Sequence, residues 1–251
     1  MARHQPNSMS FIEHLEELRI RIIRCLVVVA IATIAGYAVE PMVLAFLITY
    51  LMKGAGDSLA LLAPFEGFMV KLKLSLIMGL IASSPVIFWQ FWRFVSPGLY
   101  RREKRLILPI VFLSTISFLV GASIAFYIMP IATEFFQSFA SNGIRNTWSL
   151  SRYIDLVSRM ILAFGLLFEL PLVIYFLSRL GLVTPKFLWE KVRYAIVIIL
   201  IVAAVVTPGP DIFSQLVLAI PLTILYLFSI LLSIIAVKQA ARKASQRDTT
   251  S

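Results

Sequence analysis

The residues of this chain that could do chemistry are carboxylates, set either in apolar sequence or among arginines. Met160–Leu177, MILAFGLLFELPLVIYFL, is long enough to cross a bilayer and holds one ionisable side chain, Glu169, two residues before Pro171. A lone carboxylate in hydrocarbon costs about 3 kcal/mol on insertion scales. It must be protonated, paired, turned to a wet cavity or held for a partner. Within the chain, the candidate partners are Arg159, Lys71, Lys73 or a Ser/Thr hydroxyl on a neighbouring span. Arg159 lies about 15 Å along the same helix, which makes direct pairing poor. A second acidic set, Glu13, Glu16, Glu17 and Glu103, stands in otherwise basic segments. One reading is surface pairing, Glu17 with Arg21 at i+4 and Glu103 with adjacent Arg and Lys. The other is a pair of carboxylates offered to a cation. Guanidinium binds carboxylate as a two-pronged fork, so two carboxylates suit a ligand with two arginines. Asp211 closes the turn Thr207–Asp211, TPGPD. It serves either as the N-cap of the next helix or as an acid displayed at that turn.

Catalytic constellations are missing from the sequence. Both histidines, His4 and His14, precede the first apolar span, and Cys25 is the one cysteine. There is no pair of facing intramembrane aspartates, no HExxH and no Gly-rich phosphate loop. The chain is therefore read as a non-enzyme, with no cofactor and no metal site.

The elements that must position these carboxylates lie in a membrane. The chain is 60% apolar and 14% charged, with mean hydropathy +0.91. Soluble domains are nearer 45–50% apolar and about 25% charged. The sequence predicts an all-α polytopic membrane protein of six transmembrane helices, preceded by an amphipathic N-terminal helix. In that helix, Ser10–Arg24, Ser10 and Glu13 form a capping box. Phe11, Leu15, Leu18 and Ile22 make one apolar stripe. The segment before the first span is polar and no small-residue cleavage site follows it, so no cleaved signal is expected. One membrane domain covers residues 1–240, with spans at about 22–39, 68–94, 106–129, 153–177, 194–206 and 212–237, and a polar tail follows over 241–251. Glu40–Pro41 is expected to end the first span. Met42–Met52 is too short to cross and reads as an interfacial helix. Two long connections, 41–67 and 131–152, read as polar loops. The fifth span, Tyr194–Val206, gives only ~20 Å of helix against a ~30 Å hydrocarbon core.

Charge sets the sidedness. The segments Met1–Arg24, Arg93–Arg105, Arg179–Arg193 and Lys238–Arg247 carry seventeen Lys and Arg, and the alternate side carries six. The positive-inside rule then puts both termini in the cytoplasm. It also absorbs the +10 net charge, so nucleic acid need not be invoked. Trp89, Trp92, Trp148 and Trp189 fall near predicted span ends, as an aromatic belt requires. No internal repeat is visible.

Four segments carry a family resemblance: His14–Arg21, HLEELRIR; Phe91–Arg105, FWRFVSPGLYRREKR; Phe164–Leu172, FGLLFELPL; and Thr207–Gln215, TPGPDIFSQ. In this order, with six spans, they resemble the TatC family, the multispanning core of the twin-arginine protein translocase. The resemblance implies a plasma-membrane protein of a prokaryote. It implies a receptor for twin-arginine signal peptides of folded proteins on the cytoplasmic face. It also implies recruitment of single-span partners of the TatA and TatB type, export driven by the proton-motive force, and assembly of several copies in a larger complex. Carried over, Glu17 and Glu103 match the signal-binding carboxylates, with Arg19, Phe94, Pro97 and Arg105 in the same motifs. Glu169 matches the intramembrane site where a partner helix docks, and Asp211 the acid at the external turn. A proline found in some members is absent around Ala45–Leu51. The competing reading is a proton-coupled carrier of a small solute, with Glu169 as proton carrier. Such carriers gather several polar groups and broken helices at mid-membrane, whereas Glu169 stands nearly alone.

Overall fold

The computed structural model describes residues 11–51, 58–95, 107–137, 147–207 and 212–248. In chain order these form α1 (Phe11–Leu51), β1 (Ser58–Ala60), α2 (Glu66–Val95), α3 (Ile107–Gln137), β2 (Thr147–Ser149), α4 (Leu150–Leu167), α5 (Leu170–Arg179), α6 (Pro185–Glu190), α7 (Val192–Val206) and α8 (Ile212–Asp248). Five crossings are long and apolar enough to span a membrane, with α4 and α5 together making one of them; the shorter α7 is the sixth apolar segment. Many apolar side chains face outward, among them Ile34, Phe112 and Val205. Such exposure suits a lipid solvent and not water.

The first helix departs from expectation. The amphipathic segment, the first span and the interfacial helix are one helix of 41 residues, running through Pro41. Proline removes a single donor, whereas ending the helix there would strand up to four carbonyls in hydrocarbon. Ser10, expected to cap this helix, lies outside the described residues.

Close helix contacts depend on missing side chains. A Cβ on Gly79 of α2 would stand 2.7 Å from the Thr33 backbone nitrogen of α1. A Cβ on Gly121 of α3 would stand 2.6 Å from the Phe164 carbonyl oxygen of α4. Small residues let helix backbones approach where lipid gives no hydrophobic drive for association. α4 packs against α2, α3 and α7 and holds the centre of the larger core, with Tyr153, Ile154, Val157 and Phe164 buried. A second core joins Phe88, Trp92 and Phe118 to Leu172 and Phe176 of α5.

The fourth span, expected as one helix, is two. The turn at Phe168–Glu169 separates α4 from α5, with Pro171 in the first turn of α5. Pro171 offers no amide to Leu167, so the ladder lapses there, and it resumes with Val173 N–H donating to the Glu169 carbonyl at 2.9 Å. The following connection also contains structure. Gly181, at φ 76°, follows α5, and Thr184 caps α6 by accepting from the Phe187 amide at 3.2 Å. At the chain's end α8 continues as helix to Asp248, eleven residues beyond the expected last span. Its Lys-, Arg-, Gln- and Ala-rich sequence favours helix in water as well.

The two connections expected as loops meet. β1 and β2 pair in parallel, Ser58 opposite Thr147 and Ala60 opposite Ser149. Glu66, the first residue of α2, fastens the pair. One carboxylate oxygen accepts from the Leu62 and Ala63 amides. The other accepts from the Ser149 hydroxyl at 2.5 Å and the Ser151 amide at 2.9 Å.

Candidate functional site

The N-terminal half turn of chemistry sits where α1 lies beside the end of α2. Glu17 and Arg21 are one turn apart on α1, so their side chains meet on one face. Arg21 Nε donates to Glu17 Oε1 at 3.1 Å, and Arg21 Nη2 reaches the same oxygen. The pairing expected at i+4 is therefore present. Arg21 Nη1 also donates to Gln90 Oε1 of α2 at 3.1 Å. The second Glu17 oxygen, Oε2, is enclosed without a hydrogen-bond partner, and His14 Nδ1 is 3.8 Å from it. The His14 ring stacks on Phe94 with centroids 4.3 Å apart and planes 14° apart. Phe94 thus fixes the imidazole that flanks Glu17. Glu13, Glu16, Glu17, Ile20, Arg21, Arg24 and Arg93 line a cavity of about 380 Å³. Three carboxylates and three guanidiniums face it, so its field is mixed and not simply acidic. Arg19 is exposed and does not line it. Pro97, Glu103 and Arg105 lie outside the described residues.

A second cavity opens beside the first. Phe91 and Trp92, on the turn of α2 that carries Gln90 and Arg93, line about 310 Å³ together with Val95, Val173, Phe176 and Leu180. Its walls are apolar. A cavity of mixed charge and an apolar one are therefore both lined by the end of α2.

Glu169 is buried at the α4–α5 joint. Among the described residues, no cation pairs with it. The Ser114 hydroxyl of α3 bonds the carboxyl, and Trp92 Nε1 donates to the same Ser114 oxygen at 2.9 Å. The other carboxyl oxygen, Oε1, has no hydrogen-bond partner. Among the candidates from sequence, the hydroxyl is the one realised. Lys73 pairs with Asp155 at 2.7 Å, and Arg159 is exposed. Asp211 lies outside the described residues, but Gln215 of the same motif donates to the Leu200 carbonyl of α7 at 2.7 Å.

Sequence reasoning passed over Gln90, Ser114 and Glu66. Glu66 had a readable signal, an acid at a helix start just after Pro64. Gln90 and Ser114 had none beyond being polar in apolar surroundings.

Comparisons with known proteins place the fold as a whole in a family. The family profile described as "Sec-independent protein translocase protein (TatC)" matches residues 13–221. A TatC protein of Desulforapulum autotrophicum is 42% identical over 234 residues, 92% of this chain and 86% of that one. A TatC protein of Helicobacter pylori is 40% identical over 221 residues, 88% of this chain and 85% of that one. The TatCy protein of Bacillus subtilis is 34% identical over 257 residues, 100% of this chain and 99% of that one. Among solved structures, a crystal structure of the twin-arginine translocase receptor TatC matches with TM-score 0.79 and 35% identity, covering 89% of this chain and 99% of that one. On these grounds this multi-pass membrane protein belongs to the TatC family of Sec-independent protein translocase proteins.

Proposed function

We propose that this chain is the receptor and core of a twin-arginine protein translocase, binding the signal peptides of folded proteins at the α1–α2 site on the cytoplasmic side. The observation that carries the reading is Glu17, a part-buried carboxylate that lines a cavity and keeps one enclosed oxygen without a hydrogen-bond partner among the described residues. A peptide guanidinium can engage it where a lysine ammonium offers no fork. Glu103, Pro97 and Arg105 are carried over from the family motif as further members of the site, and Arg19 supports it from the outer face of α1. The neighbouring apolar cavity suits the apolar stretch that follows the charged start of a signal peptide. Both termini face the cytoplasm, as the charge asymmetry requires. Glu169 offers a polar notch to the helix of a single-span partner of the TatA or TatB type, and Asp211 is carried over as the family's acid at the external turn. Several copies act within a larger complex driven by the proton-motive force. Family membership favours the docking reading of Glu169 over the carrier reading.

The test is photo-crosslinking of a twin-arginine signal peptide to the full-length chain in native membranes. Glu17→Ala and Glu103→Ala should each reduce crosslinking about tenfold or more, since a charged hydrogen bond is worth ~1.5–3 kcal/mol. A twin-lysine peptide should behave like the mutants. Undiminished crosslinking in both variants would remove Glu17 and Glu103 from the site.

A further inference from the structure

We propose that Arg21 is a built-in occupant of the signal-peptide site, a guanidinium that holds Glu17 at rest and that an incoming peptide arginine must displace. This inference rests on the receptor reading of Glu17 given above.

The geometry is that of a site already filled in part by its own ligand chemistry. Arg21 Nε and Nη2 both address Glu17 Oε1, and neither reaches Oε2. The full fork between guanidinium and carboxylate uses both oxygens. Arg21 therefore makes a one-oxygen pair and leaves Oε2 enclosed and unpartnered. His14 Nδ1, at 3.8 Å, stands beyond hydrogen-bond range of that oxygen. The Arg21 side chain is 11% exposed and that of Glu17 23%, and two Arg21 donors occupy Oε1.

Gln90 gives the displaced residue somewhere to remain. Arg21 Nη1 donates to Gln90 Oε1 at 3.1 Å, from α2 and not from α1. When a peptide guanidinium takes both Glu17 oxygens, Arg21 loses its bonds to Oε1 and keeps the bond to Gln90. The exchange replaces one guanidinium by another, and no carboxylate is left bare at any stage. An unpaired, part-buried Glu17 would be costly, because removing one member of such a pair strands the other. Arg21 thus protects the empty site, and the protection lowers affinity. A ligand whose competent state is only partly populated binds with its affinity reduced by that fraction. The reduction applies equally to twin-arginine and twin-lysine peptides if both displace Arg21. The device therefore sets affinity and residence time, and selectivity stays with the fork.

The experiment measures binding of a fluorescent twin-arginine signal peptide to the full-length chain in nanodiscs. Arg21→Lys keeps the charge and loses the paired N–H donors on Oε1, and it should tighten Kd roughly fivefold through release of the resting state. Gln90→Leu, which leaves α1 untouched, removes the bond that Arg21 keeps after displacement and should weaken binding by about twofold. Arg24→Gln removes a positive charge from the same cavity without disturbing a Glu17 pair, and Arg21→Gln should exceed its effect. Glu17→Gln should abolish binding in every background. If Glu17→Gln abolishes binding while Arg21→Lys leaves it unchanged or weakens it, Arg21 positions Glu17 for the peptide and the displacement proposal fails. Equal tightening by Arg21→Gln and Arg24→Gln would also overturn it, reducing the effect to net charge. Full binding by Glu17→Gln would instead remove the receptor site on which the inference stands.

Discussion

Ser114 holds two groups that hydrocarbon would otherwise strand. It accepts the Trp92 indole N–H and bonds the Glu169 carboxyl. Each polar group left buried and unpartnered costs roughly 1–3 kcal/mol. Ser114→Ala should therefore destabilise the protein by about 2–4 kcal/mol, read by thermal unfolding in detergent. Ser114→Thr, which keeps the hydroxyl, should recover much of the loss. A Ser114→Ala variant as stable as the parent would mean that Glu169 and Trp92 are satisfied by something else. At this scale, residue type alone picked out Glu17 and Glu169, because a carboxylate in apolar sequence or among arginines is conspicuous. It could not pick out Ser114. Ser114, Ser117 and Ser123 look alike in the third span, yet Ser123 only bonds its own helix, at Leu119. Which serine meets Glu169 is decided by the packing of α3 on the α4–α5 joint.

Prolines show how weakly a single residue decides the course of an element. Pro41, Pro85, Pro130 and Pro221 all lie inside unbroken helices, while Pro171 stands at a break. Every proline withdraws one donor. Only at Glu169 does the chain also turn, and there α5 leaves the line of α4 to pack on α8, where the Ser178 and Ser233 hydroxyls meet at 2.7 Å. The short seventh helix has a consequence for the bilayer. α7 has 15 residues, which is ~22 Å of helix against ~30 Å of hydrocarbon. Mismatch of that kind is absorbed by thinning of the bilayer. Spin labels at the outward-facing Val197, Ile201 and Val205 should report a membrane several Å thinner there than beside α3. We expect that thinning to ease the passage of a folded cargo. Normal thickness at all three positions would count against it.

On the scale of the whole molecule, the face opposite the peptide site is closed by a tertiary clasp. Glu66 receives four donors on its two oxygens, two from its own approach segment and two from the far connection. All four are donors, so only an acceptor on both sides fits. Glu66→Gln turns an NH2 group toward N–H or O–H donors at one of the two oxygen positions. It should raise hydrogen exchange at the Leu62, Ala63 or Ser151 amides and loosen the β1–β2 pair, while peptide binding at the other end of α2 persists. Unchanged exchange at all three amides would show that β1–β2 pairing alone holds the connections. The sequence by itself determined the membrane class and the helical content, and it singled out Glu17 and Glu169 while passing over Glu66. Hydropathy, charge asymmetry and residue type are local properties, and each is written in consecutive residues. Only the tertiary structure decided what those carboxylates touch. Arg21 reaches Gln90 across two helices, Glu169 finds Ser114 across two more, and Glu66 gathers amides from both connections. Each of these contacts joins residues far apart in the chain, and its existence depends on helix crossings set by glycines and packing that no local pattern encodes.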